Sequence, residues 1–166
     1  MLRTTLCYVY QDDRVLMLYR NKKKNDFHEG KWNGLGGKFE IGETPLECVK
    51  REVYEESGLS IIDPTLLGIC FFPNFDSEDE LMYLYVAHEF QGNLIECLEG
   101  ELHWIDKSDM LKLNVWDSDR IFLPYVFQEQ PFTGVFTFEG KELIHYEIHS
   151  TTTENFDQFL NKITNE

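Results

Sequence analysis

Glu52, Glu55 and Glu56 stand at i, i+3 and i+4, a spacing that gathers three carboxylates on one face of an α-helix. Like charges this close destabilise a bare helix, so the cluster needs a compensating cation. Oxygen donors with no His or Cys among them suit Mg²⁺, and Mn²⁺ can substitute. An ion held there could bridge phosphate oxygens, polarise a P–O bond and lower the pKa of a bound water, which is what phosphoanhydride hydrolysis needs. The bland alternative is a solvated acidic face. Just upstream, Lys31-Trp32-Asn33-Gly34-Leu35-Gly36-Gly37-Lys38 is rich in glycine, which permits close backbone approach to a ligand. Such runs are often only turns. Ahead of a carboxylate helix, this one can offer a backbone carbonyl to the ion.

The helix that must carry the carboxylates is well marked. Thr44 is a good N-cap, Pro45 suits the first helical position, and Glu47 completes a capping box. Gly58 is the expected stop. Leu46, Val49 and Val53 recur at helical spacing and are expected to face the core.

Thr4–Tyr10 and Val15–Tyr19 read as strands joined by a turn at Gln11-Asp12-Asp13. The basic run from Arg20 to Asn25 is either an exposed loop or an electrostatic guide for an anion. Leu59–Phe72 reads as strand broken at Asp63-Pro64, Phe75–Glu80 as a solvated acidic loop, and Leu81–Phe90 and Leu98–Ile105 as further strands. Ser108 can cap a turn through Leu113, and Ser118 or Asp119 a helix through Gln128 that Pro124 kinks or interrupts. Phe132–Phe138 and Leu143–His149 flank a hairpin at Glu139-Gly140-Lys141. In the tail from 150 to 166, Thr152 to Ile163 can form a short amphipathic helix. Strands outnumber helices, which indicates an α+β or mixed-sheet protein.

A chain of 166 residues fits one domain, 1–166. Its net charge of −15, from 30 acidic and 15 basic residues, argues against a nucleic-acid partner. A small polyphosphate carried by a divalent ion remains compatible. No apolar run approaches the roughly 18 residues of a membrane span. Cys7, Cys48, Cys70 and Cys97 lack paired metal spacing and read as reduced thiols, so a cytoplasmic protein without a membrane partner is expected.

Residues 37–59 resemble a complete Nudix box: Gly37, Glu43, then Arg51-Glu52-Val53-Tyr54-Glu55-Glu56-Ser57-Gly58-Leu59, with no departure. The resemblance implies the family's α/β/α sandwich around a curved mixed β-sheet, a fold of the α/β (α+β) class. It implies Glu52 and Glu56 as metal ligands, Glu55 as a further or water-mediated one, and a carbonyl of Gly36 or Gly37 in the shell. Glu43 and Arg51 are then a structural pair. Glu99 is the expected distant carboxylate, with Glu101 and Glu96 as rivals. Glu55, Glu56 or Glu99 can serve as the general base.

Outside the box, the Trp32-Asn33-Gly34 run is similar to that of MutT-homologue-type purine nucleoside triphosphate diphosphatases, which act on 8-oxo-dGTP and related nucleotides. That likeness implies Thr5, Leu6, Phe27, Asn33, Lys38, Met82, Trp116 and Asp119 as substrate-binding residues, with Trp116 stacking on the purine. Trp116 also reads as core packing, and Asn33 as a turn before glycine. Where mammalian-type members carry adjacent aspartates, this chain has Ser118-Asp119. The expected activity is Mg²⁺-dependent hydrolysis of a purine nucleoside triphosphate, by a monomer or homodimer. Its rivals are a dinucleoside polyphosphate or ADP-ribose hydrolase and a non-enzymatic nucleotide sensor.

Overall fold

The computed structural model describes residues 1–165; Glu166, the last residue of the tail, lies outside the described residues. Eleven strands, in chain order, are β1 (Leu2–Gln11), β2 (Arg14–Arg20), β3 (Trp32–Asn33), β4 (Leu35–Lys38), β5 (Ser60–Ile62), β6 (Thr65–Phe75), β7 (Glu78–Ala87), β8 (Glu89–Gln91), β9 (Gly100–Asp106), β10 (Phe132–Glu139) and β11 (Glu142–Ser150). Helices α1 (Pro45–Ser57), α2 (Asp117–Phe127) and α3 (Phe156–Thr164) are set among them. The main sheet runs β11-β10-β6-β7-β1-β2-β3, with β4 also paired to β1 and β9 to β2. It is mixed: β1 lies parallel to β7 and β10 parallel to β6, while the other pairs are antiparallel.

Alternation along the strands sends side chains to two cores. Tyr8, Tyr10, Val15 and Met17 join Phe122, Leu123 and Val126 of α2 on one face. Cys7, Val9, Leu16 and Leu18 join Val49 and Val53 of α1 and Phe156 of α3 on the other. The sheet is thus covered on both faces, and its central strands read as continuous apolar runs rather than polar–apolar alternation. All four cysteines are free and buried. No helix among the described residues is long and apolar enough to cross a membrane.

Several local expectations need correction. Leu46 is 43% exposed, because the first turn of α1 leaves it outside the packed surface; Cys48 is buried in its place. Residues 75–80 are not a loop: Phe75 ends β6, Asp76 and Ser77 make a tight turn at positive φ, and Glu78 opens β7. Asp76 to Asp79 are exposed as expected, whereas Phe75 is buried and Glu80 half-buried. Asp106, not Ser108, caps the 3₁₀ turn Lys107–Lys112, accepting from the Ser108 N–H. Trp116, not Ser118 or Asp119, is the N-cap of α2, and the helix continues through Pro124 to Phe127.

Candidate active site

The local signals of α1 place its carboxylates. The capping box is closed in both directions, Glu47 N–H to Thr44 Oγ1 at 3.2 Å and Thr44 N–H to Glu47 Oε1 at 3.0 Å. Gly58 ends the helix at φ 81°, donating its N–H to the Tyr54 carbonyl. Between these ends, Glu52 and Glu56 face the glycine strand β4. The Gly36 N–H donates to Glu56 Oε1 at 2.7 Å. A Cβ on Gly37 would lie 2.5 Å from the Glu52 carboxyl carbon, so only glycine lets that carboxylate sit where it does.

Arg51 ties the helix to its entry loop. It donates to both oxygens of Glu43, at 2.6 and 2.9 Å, and to the Lys38 carbonyl at 2.9 Å. The hydrogen bonds from Arg51 hold the Glu43 carboxyl down to about 2, and the pairing pushes the guanidinium up. Arg51 also meets Glu52 at 2.7 Å and Glu55 at 3.2 Å. Glu55 is exposed on that side, on the helix face next to Glu52 and Glu56.

A cleft of about 700 Å³ opens in front of β4. Its acidic end holds Glu52, Glu56 and Glu99 beside Gly36 and Gly37. Glu99 is delivered by the β2–β9 ladder, whose last pair, Arg20 with Gly100, puts the preceding residue at the cleft. It pairs with Arg20 at 3.2 Å and Lys23 at 3.1 Å. The rivals fall away from the cleft: Glu96 is exposed beside Lys22, and Glu101 is exposed beside Asn21. Burial pushes the Glu56 carboxyl well up, and the charges of Glu99 and Glu52 add to that. Burial likewise raises Glu52. Mutually repelling carboxylates in one recess, all oxygen donors, fit a hard divalent ion. As the side chains stand, no trio of His, Cys, Asp or Glu among the described residues is close enough to ligate one ion.

The other end is aromatic and hydrogen-bonding. Trp116 is 4% exposed, with Phe27 offset-stacked on it at 5.3 Å and the Lys31 ammonium 5.0 Å from its ring centre. Asp119 is buried on the first turn of α2 with the Ser118 hydroxyl 3.4 Å away, and burial raises its carboxyl to about 7. Asn33 Nδ2 is buried without a partner. Thr5, Leu6, Lys38 and Met82 complete the lining, so all the base-pocket residues expected from the sequence share one cleft.

A profile of the NUDIX domain matches residues 2–126. The chain belongs to the Nudix hydrolase family. This Nudix hydrolase is 36% identical over 142 residues to a Danio rerio protein named oxidized purine nucleoside triphosphate hydrolase, a match covering 84% of this chain and 88% of that one. The Mus musculus protein of the same name is 34% identical over the same shares. An uncharacterized Nudix hydrolase, YvcI, from Bacillus subtilis is 33% identical over 153 residues, covering 88% and 93%. Among solved structures, a MutT protein from Bacillus halodurans superposes with a TM-score of 0.81 at 31% identity, covering 89% of this chain and 97% of that one. The mixed sheet with helices on both faces is the expected Nudix architecture. Nudix hydrolases work with divalent metal ions.

Sequence reasoning missed two parts of the Nudix cleft. Glu80, assigned to a solvated loop, turns inward, accepts from Thr4 Oγ1 at 3.0 Å and lines the cleft with Asp76 and Glu78. His28 lines it too and accepts the Trp116 indole N–H at its Nδ1, 2.9 Å away. No local pattern announces either one. Inward orientation at Glu80 follows from strand parity once the turn is known to be tight, and His28 meets Trp116 only through the fold.

Proposed function

We propose that this Nudix hydrolase is a Mg²⁺-dependent pyrophosphohydrolase of purine nucleoside triphosphates carrying an oxidised base, 8-oxo-dGTP for example, which it converts to the monophosphate and pyrophosphate. The observation that carries the reading is the polarity of one cleft: three carboxylates against a glycine strand at one end, and Asn33, Asp119 and Trp116 at the other. Relatives in zebrafish and mouse bear the corresponding name.

Glu52, Glu56 and Glu99, with Glu55 as a further or water-mediated ligand and a Gly36 or Gly37 carbonyl, would hold the ion. When bound, Mg²⁺ supplies charge neutralisation of the phosphates and a more acidic water. Water adds to phosphorus, the bridging P–O bond breaks with its electron pair leaving on the departing phosphate, and the water's proton passes to a carboxylate of this set. Arg51 and Glu43 keep α1 in register with β4. At the base end Asn33 Nδ2 is a donor awaiting an acceptor, and Asp119 supplies acceptors for base N–H groups. Purine edges offer both. Phe27, Leu6, Met82 and Trp116 form apolar walls, and a purine that stacks on the indole takes over surface that Phe27 now covers.

Steady-state kinetics on a panel of 8-oxo-dGTP, 2-oxo-dATP, ordinary purine triphosphates, a dinucleoside polyphosphate and ADP-ribose test this. The expected result is a kcat/KM for an oxidised purine triphosphate at least about 10-fold above the rest, as pocket hydrogen bonds provide. Preference for ADP-ribose or a dinucleotide overturns it.

A further inference from the structure

His28 belongs to neither end of the reaction as derived so far, yet its ring is held from several directions. The Trp116 indole N–H donates to its Nδ1 at 2.9 Å. Its ring meets Trp116 edge-on at 5.3 Å and Phe27 edge-on at 5.8 Å. Its backbone N–H donates to Asp26 Oδ1 at 3.2 Å, and Asp26 in turn accepts from Arg20 Nε at 2.9 Å. The loop carrying it is closed onto β2 by Gly30 N–H to the Arg20 carbonyl, and tied to the approach to α2 by Trp32 N–H to the Asn114 carbonyl.

Trp116 has no capping hydrogen bond from its own side chain, although it occupies the N-cap of α2. Its single polar atom is therefore committed to His28. An indole can only donate.

We propose that His28 is a positioning residue for the nucleobase pocket: its Nδ1, by accepting the Trp116 indole N–H, fixes the plane of the ring that forms the pocket wall. This rests on the base-binding role given to Trp116 above. The accepting nitrogen must carry no proton, so the imidazole is neutral, with its hydrogen on Nε2. Protonation would place a donor against a donor and release the indole. Burial disfavours the charged ring, and Arg20 acts the same way; Lys141 of the β10–β11 turn adds to it, while Asp26 and Asp76 of the β6–β7 turn oppose it. From α2 the ring meets uncharged Trp116, and Asp119 of that helix shares the cleft. The net direction is down from 6.5, so the acceptor form prevails at neutral pH and is lost only in acid.

The test uses the whole chain and three side chains at position 28. Asn places an amide oxygen where Nδ1 was and does not titrate; Ala offers nothing. The ¹⁵N–¹H spectrum separates the indoles of Trp32, Trp104 and Trp116, the last identified by its loss in Trp116→Phe. In the wild type the Trp116 signal is expected to move on acidification with the titration of His28; in His28→Asn it should hold its hydrogen-bonded position throughout. In His28→Ala it should be displaced at every pH. With 8-oxo-dGTP, His28→Ala should raise KM about 10-fold, the order expected for loss of one buried hydrogen bond. Its kcat should stay within about 2-fold, and His28→Asn should restore KM. Asp119 titrates in all these proteins, so the pH readout is the difference between wild type and His28→Asn. An unmoved indole signal and KM in a folded His28→Ala, a fall in kcat alone, or no rescue by a folded His28→Asn each overturn the proposal. An indole that follows His28 in a wild type hydrolysing no nucleotide overturns instead the function assigned to the cleft, and with it the pocket role but not the hydrogen bond.

Discussion

Asp119 is buried with the Ser118 hydroxyl as its near neighbour, and its carboxyl stands near 7 against an ordinary 3.8. The folded state therefore holds that proton more tightly than the unfolded chain. The resulting stability is complete below 3.8 and is lost as pH rises through about 7, on the order of 4 kcal/mol at roughly 1.4 kcal/mol per unit. Asp119→Asn removes the loss, so its melting temperature relative to wild type should be higher at pH 8 than at pH 5; a constant difference across that range refutes the assignment. The same variant loses an acceptor for base N–H groups, and KM for an oxidised purine triphosphate should rise about 10-fold or more while kcat changes less. At the opposite end, Glu56→Gln keeps an oxygen for the Gly36 N–H, so the fold persists. Its kcat should nevertheless fall at least about 10²-fold, the scale of losing one preorganised electrostatic group. Wild-type turnover in Glu56→Gln would remove this carboxylate from the chemistry.

The two glycines of β4 separate stability from activity within one element. A Cβ on Gly36 would lie 1.9 Å from the Thr5 carbonyl oxygen, a backbone atom of the paired strand that cannot move aside. On Gly37 its three nearest neighbours would all be atoms at the end of the Glu52 side chain, which can move aside. Gly36→Ala is expected to unfold or aggregate, with the β1–β4 ladder forced apart. Gly37→Ala should melt within a few degrees of wild type yet lose at least about 10-fold in kcat, because Glu52 is pushed from its place. Thermal unfolding beside steady-state rates distinguishes them, and equal losses of stability would refute the contrast. Elements fixed by local chemistry were legible in the sequence: α1 from Thr44, Pro45, Glu47 and Gly58, and the β1–β2 and β10–β11 hairpins from their turns. Leu46 misled because periodicity gives the angle of a side chain around a helix but not whether a strand lies beneath it. Glu55 shares the helix with Glu52 and Glu56, and its pairing with Arg51 one turn back is the i,i+4 contact that spacing predicts. The Trp116–His28 bond joins residues far apart in sequence, which only tertiary packing brings together.

Across the whole molecule, the charge of −15 sets the terms on which a polyphosphate can enter. The cleft itself is acidic: carboxylates from α1, β7, α2 and the residue just before β9 outnumber Arg20, Lys23 and Lys38, and the first two of these cations already pair with Glu99. A bare triphosphate meets net repulsion there. A triphosphate arriving with a divalent ion would bring the positive charge the cleft lacks, and ligation of that ion by Glu99 would leave Arg20 and Lys23 to the phosphates. Titration calorimetry with a non-hydrolysable purine triphosphate should therefore give a Kd at least about 10-fold weaker in chelator than in Mg²⁺, about 1.4 kcal/mol. Salt provides a second sign. An ordinary anion site weakens as ionic strength rises, whereas in chelator this one should bind the nucleotide no more weakly at 0.5 M salt than at 0.05 M, since screening relieves repulsion over a Debye length of about 10 Å or less. In Glu52→Gln/Glu56→Gln the gap between chelator and Mg²⁺ should shrink, because the charges that repel the phosphates, and that would attract the ion, are gone. Equal affinity with and without the divalent ion in the wild type would mean that Arg20, Lys23 and Lys38 suffice for the phosphates, and that the three carboxylates do not serve to recruit them.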